Sequence, residues 1–235
     1  MPILQGPLRG KRWIVGSQNH GFWLGSFEAQ KVRVFCSTVS HGDTVYDIGA
    51  NVGYYTLLAA TLIGSEGKVV AFEPVTHNLA YLRQHLQMNH VANAYVVPAA
   101  VSDACGYHSF DESTSHAKGH LSNAGELTVE TVTVDHFTTT HRNLTPTCLK
   151  IDVEGAEFQV LQGATSTLQK AKPLIFLATH SFSVHQQCCQ LLRSLGYDLL
   201  PLDSESVEAS KELLAFSPDR RNTILEGMLI IEAQD

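Results

Sequence analysis

The sequence predicts an α/β fold built on a doubly wound, mostly parallel sheet. Short apolar strand patterns alternate with amphipathic helix patterns, a glycine turn follows the first strand pattern, and acidic residues stand at several strand ends. Alternating β and α elements give a parallel sheet with helices on both faces. The chain has 235 residues, a length that suits one such domain. We therefore expect residues 1–235 to form a single domain.

Apolar periodicity and turn residues delimit the predicted strands and helices. They are predicted as a strand over 44–49, a helix over 53–63, a strand over 68–73, a helix over 76–89 with Thr76 as N-cap, strands over 94–99 and 148–152, a helix over 157–170, a strand over 173–179, a helix over 184–195, and strands over 197–202 and 224–232. Residues 1–43 precede this alternation, and we expect a lead-in or cap over the ligand site. Residues 103–146 interrupt it, and we expect a β-excursion with a loop insertion.

Composition excludes several classes of protein. Hydrophobic residues make up 44% and charged residues 17%, with a formal net charge of -7, a balance that argues against nucleic acid as a partner. No apolar run approaches the length of a membrane span, and the first residues do not resemble a signal peptide, so we expect a cytoplasmic protein. The five cysteines are scattered, which predicts neither disulfides nor a zinc ribbon. The oligomeric state stays open, with a homodimer as one option.

The turn after the first strand predicts a cofactor site. Asp47 ends an apolar strand, and Gly49, Asn51 and Gly53 form the turn into a helix. Glycines in such a turn let the backbone approach a ligand closely. An acid at the strand tip would repel a phosphate, but it suits a ligand that carries an ammonium group and a sulfonium. The turn therefore indicates S-adenosylmethionine rather than a dinucleotide.

Glu73 supports the same interpretation. It ends the second strand about 20 residues beyond the turn, where an acid commonly accepts hydrogen bonds from ribose hydroxyls. A nicotinamide oxidoreductase would share this acid, but its Gly-x-Gly-x-x-Gly fingerprint is not matched by the run from Gly49 to Gly53. A dinucleotide enzyme remains the less favoured alternative.

A second acidic block lies at the end of the fourth strand. Asp152, Glu154 and Glu157 fall within six residues, beside Gly155. Crowded carboxylates raise one another's pKa and can create a general base. Glu157 also suits the first turn of a helix, whereas Asp152 and Glu154 indicate chemistry.

These blocks resemble the FkbM-type S-adenosylmethionine-dependent methyltransferases. The matching segments are Tyr46–Thr56, Ala71–Pro74, Lys150–Glu157 and Val160–Ala164. The resemblance implies a Rossmann-like class I methyltransferase sheet of seven strands with the last one antiparallel. It also implies O-methylation of a hydroxyl on a sugar, glycan or natural product, with S-adenosyl-L-homocysteine as product.

The resemblance also assigns site residues. The methionine moiety would lie at the turn, the ribose at Glu73, and the adenine near Ala99, Ala100 and Val101. The expected cofactor contacts are Asp47, Gly49, Asn51, Gly53, Glu73, Ala100 and Asp152. Members of the family often carry Glu-x-His after the next strand. Here that segment is Leu177-Ala178-Thr179-His180, so the acid is missing and His180 remains.

The expected catalytic residues are His180, Glu154 and Asp152. A hydroxyl benefits from a base as it attacks, and we expect His180 or Glu154 to accept its proton. We expect no metal, because a Mg²⁺ site on Asp152 and Glu154 would need a third ligand that the sequence does not indicate. A non-catalytic S-adenosylmethionine-binding module is the alternative of another class.

Overall fold

The structure is a computed structural model that describes residues 1–112, 119–121 and 127–232. A seven-stranded sheet lies at its centre. A smaller sheet lies beside it. The strands of both, in chain order, are β1 (Thr44–Ile48), β2 (Lys68–Phe72), β3 (Ala94–Val97), β4 (Ala100–Val101), β5 (Gly106–Glu112), β6 (Gly119–Leu121), β7 (Leu127–Val132), β8 (Cys148–Ile151), β9 (Leu174–Ala178), β10 (Asp198–Pro201) and β11 (Glu212–Phe216). The helices are α1 (Gly21–Leu24), α2 (Ala29–Thr38), α3 (Tyr54–Leu62), α4 (Thr76–Met88), α5 (Val134–Thr140), α6 (Glu157–Gln162), α7 (Thr165–Ala171), α8 (Phe182–Ser194) and α9 (Arg221–Glu232), with short 3-10 turns over Arg142–Leu144 and Pro218–Arg220.

The order of the strands confirms the predicted fold class. Across the large sheet it is β10-β11-β9-β8-β1-β2-β3. The run from β9 to β3 is parallel throughout. The last strand, β11, is antiparallel to both of its neighbours. The strand order reverses beside β1, which is where open α/β sheets bind ligands at the carboxyl ends of their strands.

The position predicted for the last strand is wrong. Residues 224–232 were expected to form it, but they belong to α9, and the antiparallel strand is β11, over Glu212–Phe216. A short apolar run does not distinguish strand from helix by its periodicity. In α9 the buried Ile224 and the partly buried Met228, four residues apart, pack on the core that also contains α2. Tertiary packing of one helical face therefore decides this segment.

Two predictions about helix ends are also corrected. The N-cap of α4 is Val75, not Thr76, and no side chain caps it. Instead the carboxylate of Glu73 accepts the backbone N–H of Val75 at 2.9 Å. The helix predicted over 157–170 is two helices, α6 and α7, separated at Gly163 and Ala164; Gly163 O accepts the N–H of Asp135 at 2.9 Å instead of a helical N–H.

Residues 1–43 pack on the same side of the sheet as α3. The Trp13 ring is stacked on His85 of α4, with ring centroids 3.7 Å apart. His85 is buried and uses both ring nitrogens: Nδ1 lies 2.7 Å from Val52 O, and Nε2 accepts the Ile14 N–H at 3.1 Å. Burial lowers the pKa of His85. The N-terminal segment is thus fixed to the sheet's helices by a neutral histidine.

The smaller sheet has the order β4-β7-β5-β6. It contains the alternating segment from Thr128 onward, which forms most of β7. Residues 113–118 and 122–126 of the predicted excursion lie outside the described part of the chain. The assignment of 1–235 to a single domain stays a prediction.

Candidate active site

A cavity opens at the carboxyl ends of β1, β2 and β8. Its walls are the backbone turn after β1, the end of β2, the residues after β8, and aromatic rings from the N-terminal segment. The lining residues include Phe22, Phe27, Gly49, Asn51, Tyr55, Glu73, Asn78, Ala100, Val101, Lys150, Asp152 and Glu154. The cavity thus collects, from separate parts of the chain, most of the residues that the sequence pattern selected.

The turn after β1 brings two strand ends into close contact. Gly49 has φ +78°, and a Cβ on it would overlap the backbone carbonyl oxygen of Asp152 and lie 2.9 Å from its carbonyl carbon. The N–H groups of Gly49 and Ala50 both donate to Phe72 O, at 3.1 and 2.9 Å. The turn is therefore wedged between β2 and β8, and only a residue without a side chain fits. Asn51, with φ +51°, follows it.

Asp47 lies behind the cavity rather than on its wall. Its side chain is 1% exposed, accepts a 2.6 Å hydrogen bond from Thr56 Oγ1, and forms an ion pair with Lys150 Nζ at 3.4 Å. Gly53 is not part of the wall either, because it packs against Leu82 of α4. The contacts of these two residues with a cofactor stay predictions, and their visible role is to support the turn.

Glu73 is the most heavily hydrogen-bonded carboxylate of the cavity. It is 4% exposed, and its oxygens accept hydrogen bonds from Asn51 N (2.8 Å), Val75 N (2.9 Å) and Asn78 Nδ2 (3.3 Å). Burial raises its pKa, and these hydrogen bonds oppose the increase. A carboxylate has about four acceptor positions, so Oε2, which holds a single hydrogen bond among the described residues, keeps capacity for a ligand hydroxyl.

The adenine region predicted from the sequence is partly exposed to the cavity. Ala100 and Val101 line it, whereas Ala99 is buried and does not. Asn78, also on the wall, has a buried Oδ1 without a hydrogen-bond partner in the described structure. A buried acceptor of this kind is costly unless a ligand or water satisfies it.

A buried chain of charges, which no pattern in the sequence predicts, lies beneath the cavity. Lys150 Nζ is buried beside Tyr55, whose ring centroid is 5.4 Å away. Lys31 of α2 lies at the same distance from that ring and pairs with Glu28 (3.2 Å) and Glu212 (2.7 Å). Burial opposes protonation of both lysines, but the carboxylates around them raise both pKa values. Glu28 and Lys31 come from the N-terminal segment and Glu212 comes from β11, far from Lys150 in the sequence. No spacing in the sequence therefore predicts that these residues meet.

The acidic block and His180 converge at the ends of β8 and β9. His180 Nδ1 lies 2.7 Å from Glu157 Oε1, and its Nε2 lies 3.5 Å from Asp152 Oδ1 and 3.3 Å from Glu154 Oε2. The hydrogen bond with Glu157 raises the pKa of His180; burial opposes this, and the other two carboxylates add to it. For Asp152, burial favours the neutral acid, but Lys150 and Lys31 hold its pKa below the usual range.

Ala178 stands where the resemblance would place an acid. It is paired in register with Glu212 on β11, whose carboxylate forms an ion pair with Lys31. His180 itself is close to the cavity but is not on the wall that Asp152 and Glu154 share.

Fold and site together define a Rossmann-like α/β protein with a ligand cavity at its switch point. Residues 47–199 match the methyltransferase FkbM domain, and the chain belongs to that family. A curated relative is the hexuronic acid methyltransferase AglP of Haloferax volcanii, 28% identical over 152 residues, which are 63% of this chain and 61% of AglP.

Solved structures show the same fold at low identity. Methyltransferase FkbM from Methylobacillus flagellatus superposes with a TM-score of 0.53 and 17% identity, covering 74% of this chain and 43% of that one. Precorrin-6y C5,15-methyltransferase from Geobacter metallireducens has a TM-score of 0.50 and 15% identity, covering 81% and 89%. The match therefore spans less than two thirds of AglP and of the Methylobacillus protein. Within the described residues, no helix combines the length and apolar character needed to cross a membrane.

Proposed function

We propose that the protein is an S-adenosylmethionine-dependent O-methyltransferase that acts on a hydroxyl of a sugar, glycan or related natural product. The observation that carries the proposal is the cavity wall that Glu73 and Asn78 share with Asp152 and Glu154. This wall combines oxygens that can accept hydrogen bonds from a ribose with two carboxylates that lie close to His180. Membership of the FkbM family supports methyl transfer, and the name of AglP supports a sugar acceptor.

The residues present fit the cofactor. Gly49 and Asn51 of the turn line the cavity, Glu73 Oε2 has a free acceptor position, and the orphaned Asn78 Oδ1 needs a donor. Bound S-adenosylmethionine would supply an electrophilic methyl group on a sulfonium. Asp152, held ionised by two lysines, would attract that positive charge.

The histidine and its acids would handle the proton of the acceptor. The cofactor would supply the methyl group and keep the electron pair of the carbon–sulfur bond, and the hydroxyl proton of the acceptor would have to leave. His180 Nε2 is placed to take it, because Glu157 holds Nδ1 and stabilises the resulting imidazolium. Such a base contributes about 10²–10⁴-fold to a rate, and the alignment of the reactants contributes more.

The test combines binding with turnover. Calorimetry should show that S-adenosyl-L-homocysteine binds and that NADH does not. Labelled methyl from S-adenosylmethionine should transfer to a member of a panel of hexuronic acids, hexoses and glycosides. His180→Ala and Glu154→Gln should slow transfer by at least about 100-fold, whereas the exposed controls His136→Ala and Glu226→Gln should not. Binding without transfer across the panel would instead identify a non-catalytic cofactor-binding module.

A further inference from the structure

The end of β8 and the end of β9 aim three metal-type ligand atoms at one point. Asp152 Oδ1, Glu154 Oε2 and His180 Nε2 come from these two strand ends, and the histidine nitrogen lies 3.5 and 3.3 Å from the two oxygens. All the ligand atoms of this group lie within 4.8 Å of one another. Ligands about 2.1 Å from an ion are separated by about 3.0 Å in an octahedron and about 3.4 Å in a tetrahedron. The two nitrogen–oxygen separations, 3.5 and 3.3 Å, lie near the value for ligands around one cation.

Glu157 is the independent observation that points to a metal. Its side chain is 0% exposed, and Oε1 accepts hydrogen bonds from His180 Nδ1 at 2.7 Å and from Gly155 N at 2.9 Å. A carboxylate that accepts a hydrogen bond from Nδ1–H keeps the proton on Nδ1 and leaves the lone pair on Nε2. Metal-binding histidines are nearly always oriented by such a carboxylate or carbonyl. Here Nε2 faces two carboxylate oxygens, and a cation bound between the three atoms would neutralise the charge of both.

We propose that Asp152, Glu154 and His180 bind a divalent cation of the Mn²⁺ class. Two carboxylates favour hard ions and an imidazole favours first-row transition metals, and Mn²⁺ accepts both. Three protein ligands leave coordination positions open. This supplies the third ligand that the sequence alone did not indicate, and it replaces our expectation of a site without metal.

The inference deepens the proposed function and rests on it. An acceptor hydroxyl bound at an open position would have a lowered pKa, as water does on a metal. His180 would then hold the cation rather than accept the proton, which would leave to solvent. A protonated His180 that donates to both carboxylates is the competing arrangement, and it needs no metal.

The probe is Mn²⁺ itself, followed by electron paramagnetic resonance after the full chain is treated with EDTA and dialysed. The wild-type protein should remove about one equivalent of the free-ion signal. His180→Ala and Glu154→Gln should each weaken binding at least tenfold, and Glu157→Gln should weaken it about 10–100-fold. His136→Ala, an exposed histidine on α5, should bind as the wild type does. S-adenosyl-L-homocysteine calorimetry on each variant verifies the fold.

The outcomes separate this inference from the proposed function. An absence of Mn²⁺ binding, or equal binding by the His180 and Glu154 variants, overturns the metal site. If methyl transfer continues undiminished in EDTA, the proposed function stands and the metal inference fails. If neither cofactor nor product binds while Mn²⁺ does, the proposed function fails and the metal site remains.

Discussion

Replacing Gly49 by alanine should impose two costs on the turn after β1, one from its backbone conformation and one from steric overlap with Asp152. An alanine at φ +78° costs about 1–2 kcal/mol because the left-handed region crowds a Cβ. The Cβ would also overlap the carbonyl oxygen of Asp152 and lie 3.3 Å from Val153 Cγ1. Forced overpacking of this kind costs about 1–3 kcal/mol more. We expect Gly49→Ala to lower the free energy of unfolding by about 2–5 kcal/mol.

Gly42 provides a matched control. It has φ +86° in the loop before β1, and nothing lies within 4 Å of the position of its Cβ. Gly42→Ala should therefore show only the conformational cost, about 1–2 kcal/mol. Urea unfolding of both variants gives the difference directly, and calorimetry with S-adenosyl-L-homocysteine should show weakened binding for Gly49→Ala alone. Equal destabilisation of the two variants would refute the argument that the contact between Gly49 and the Asp152 backbone requires a residue without a side chain.

Three further perturbations test other parts of the site. Glu73→Gln removes the charge of the carboxylate whose Oε2 we expect to accept a ribose hydroxyl, so the affinity for S-adenosyl-L-homocysteine should fall by about 1.5–3 kcal/mol; unchanged calorimetric affinity would contradict this. Lys150→Met leaves Asp47 buried without its cation and should cost about 3–5 kcal/mol in urea unfolding, whereas the exposed Lys170→Met should stay within about 0.5 kcal/mol. Burial lowers the pKa of His85, so its contribution to stability is present above its unfolded pKa of about 6.5 and is lost as pH falls through the folded value. His85→Gln should therefore make the free energy of unfolding less dependent on pH on the acid side. An unchanged slope would show that another group titrates there.

The sequence predicted the fold well where a pattern is local. The turn from Gly49 to Gly53 and the strand-to-helix alternation depend on neighbouring residues, and both appear within a few residues of the expected limits. The error at residues 224–232 arose because the helical face of α9 is chosen by packing against distant α2. Thr76 is the first helical residue of α4 rather than its N-cap, and the carboxylate of Glu73 accepts the N–H of Val75, the residue before it.

The site residues also divide into those whose meeting follows from the strand pattern and those whose contacts depend on the tertiary fold. Glu73, Asp152 and Glu154 stand at strand ends, and strand ends meet at one edge of a parallel sheet, so their meeting follows from topology. The partners of His180 could be named only after β9 was placed beside β8. The pairing of Lys31 with Glu212 joins residues 181 positions apart in the chain, and no periodicity encodes such a contact.

The buried charge chain sets a limit on how far the protein can be shortened. The family match covers residues 47–199, yet Lys31 comes before that range and Glu212, with all of β11, comes after it. A fragment cut at those limits would lose a strand of the sheet and a lysine that helps to keep Asp152 ionised. The segment that matches the family is therefore smaller than the unit that must fold for the acidic site to form, and a truncated form of this protein should retain both Lys31 and β11.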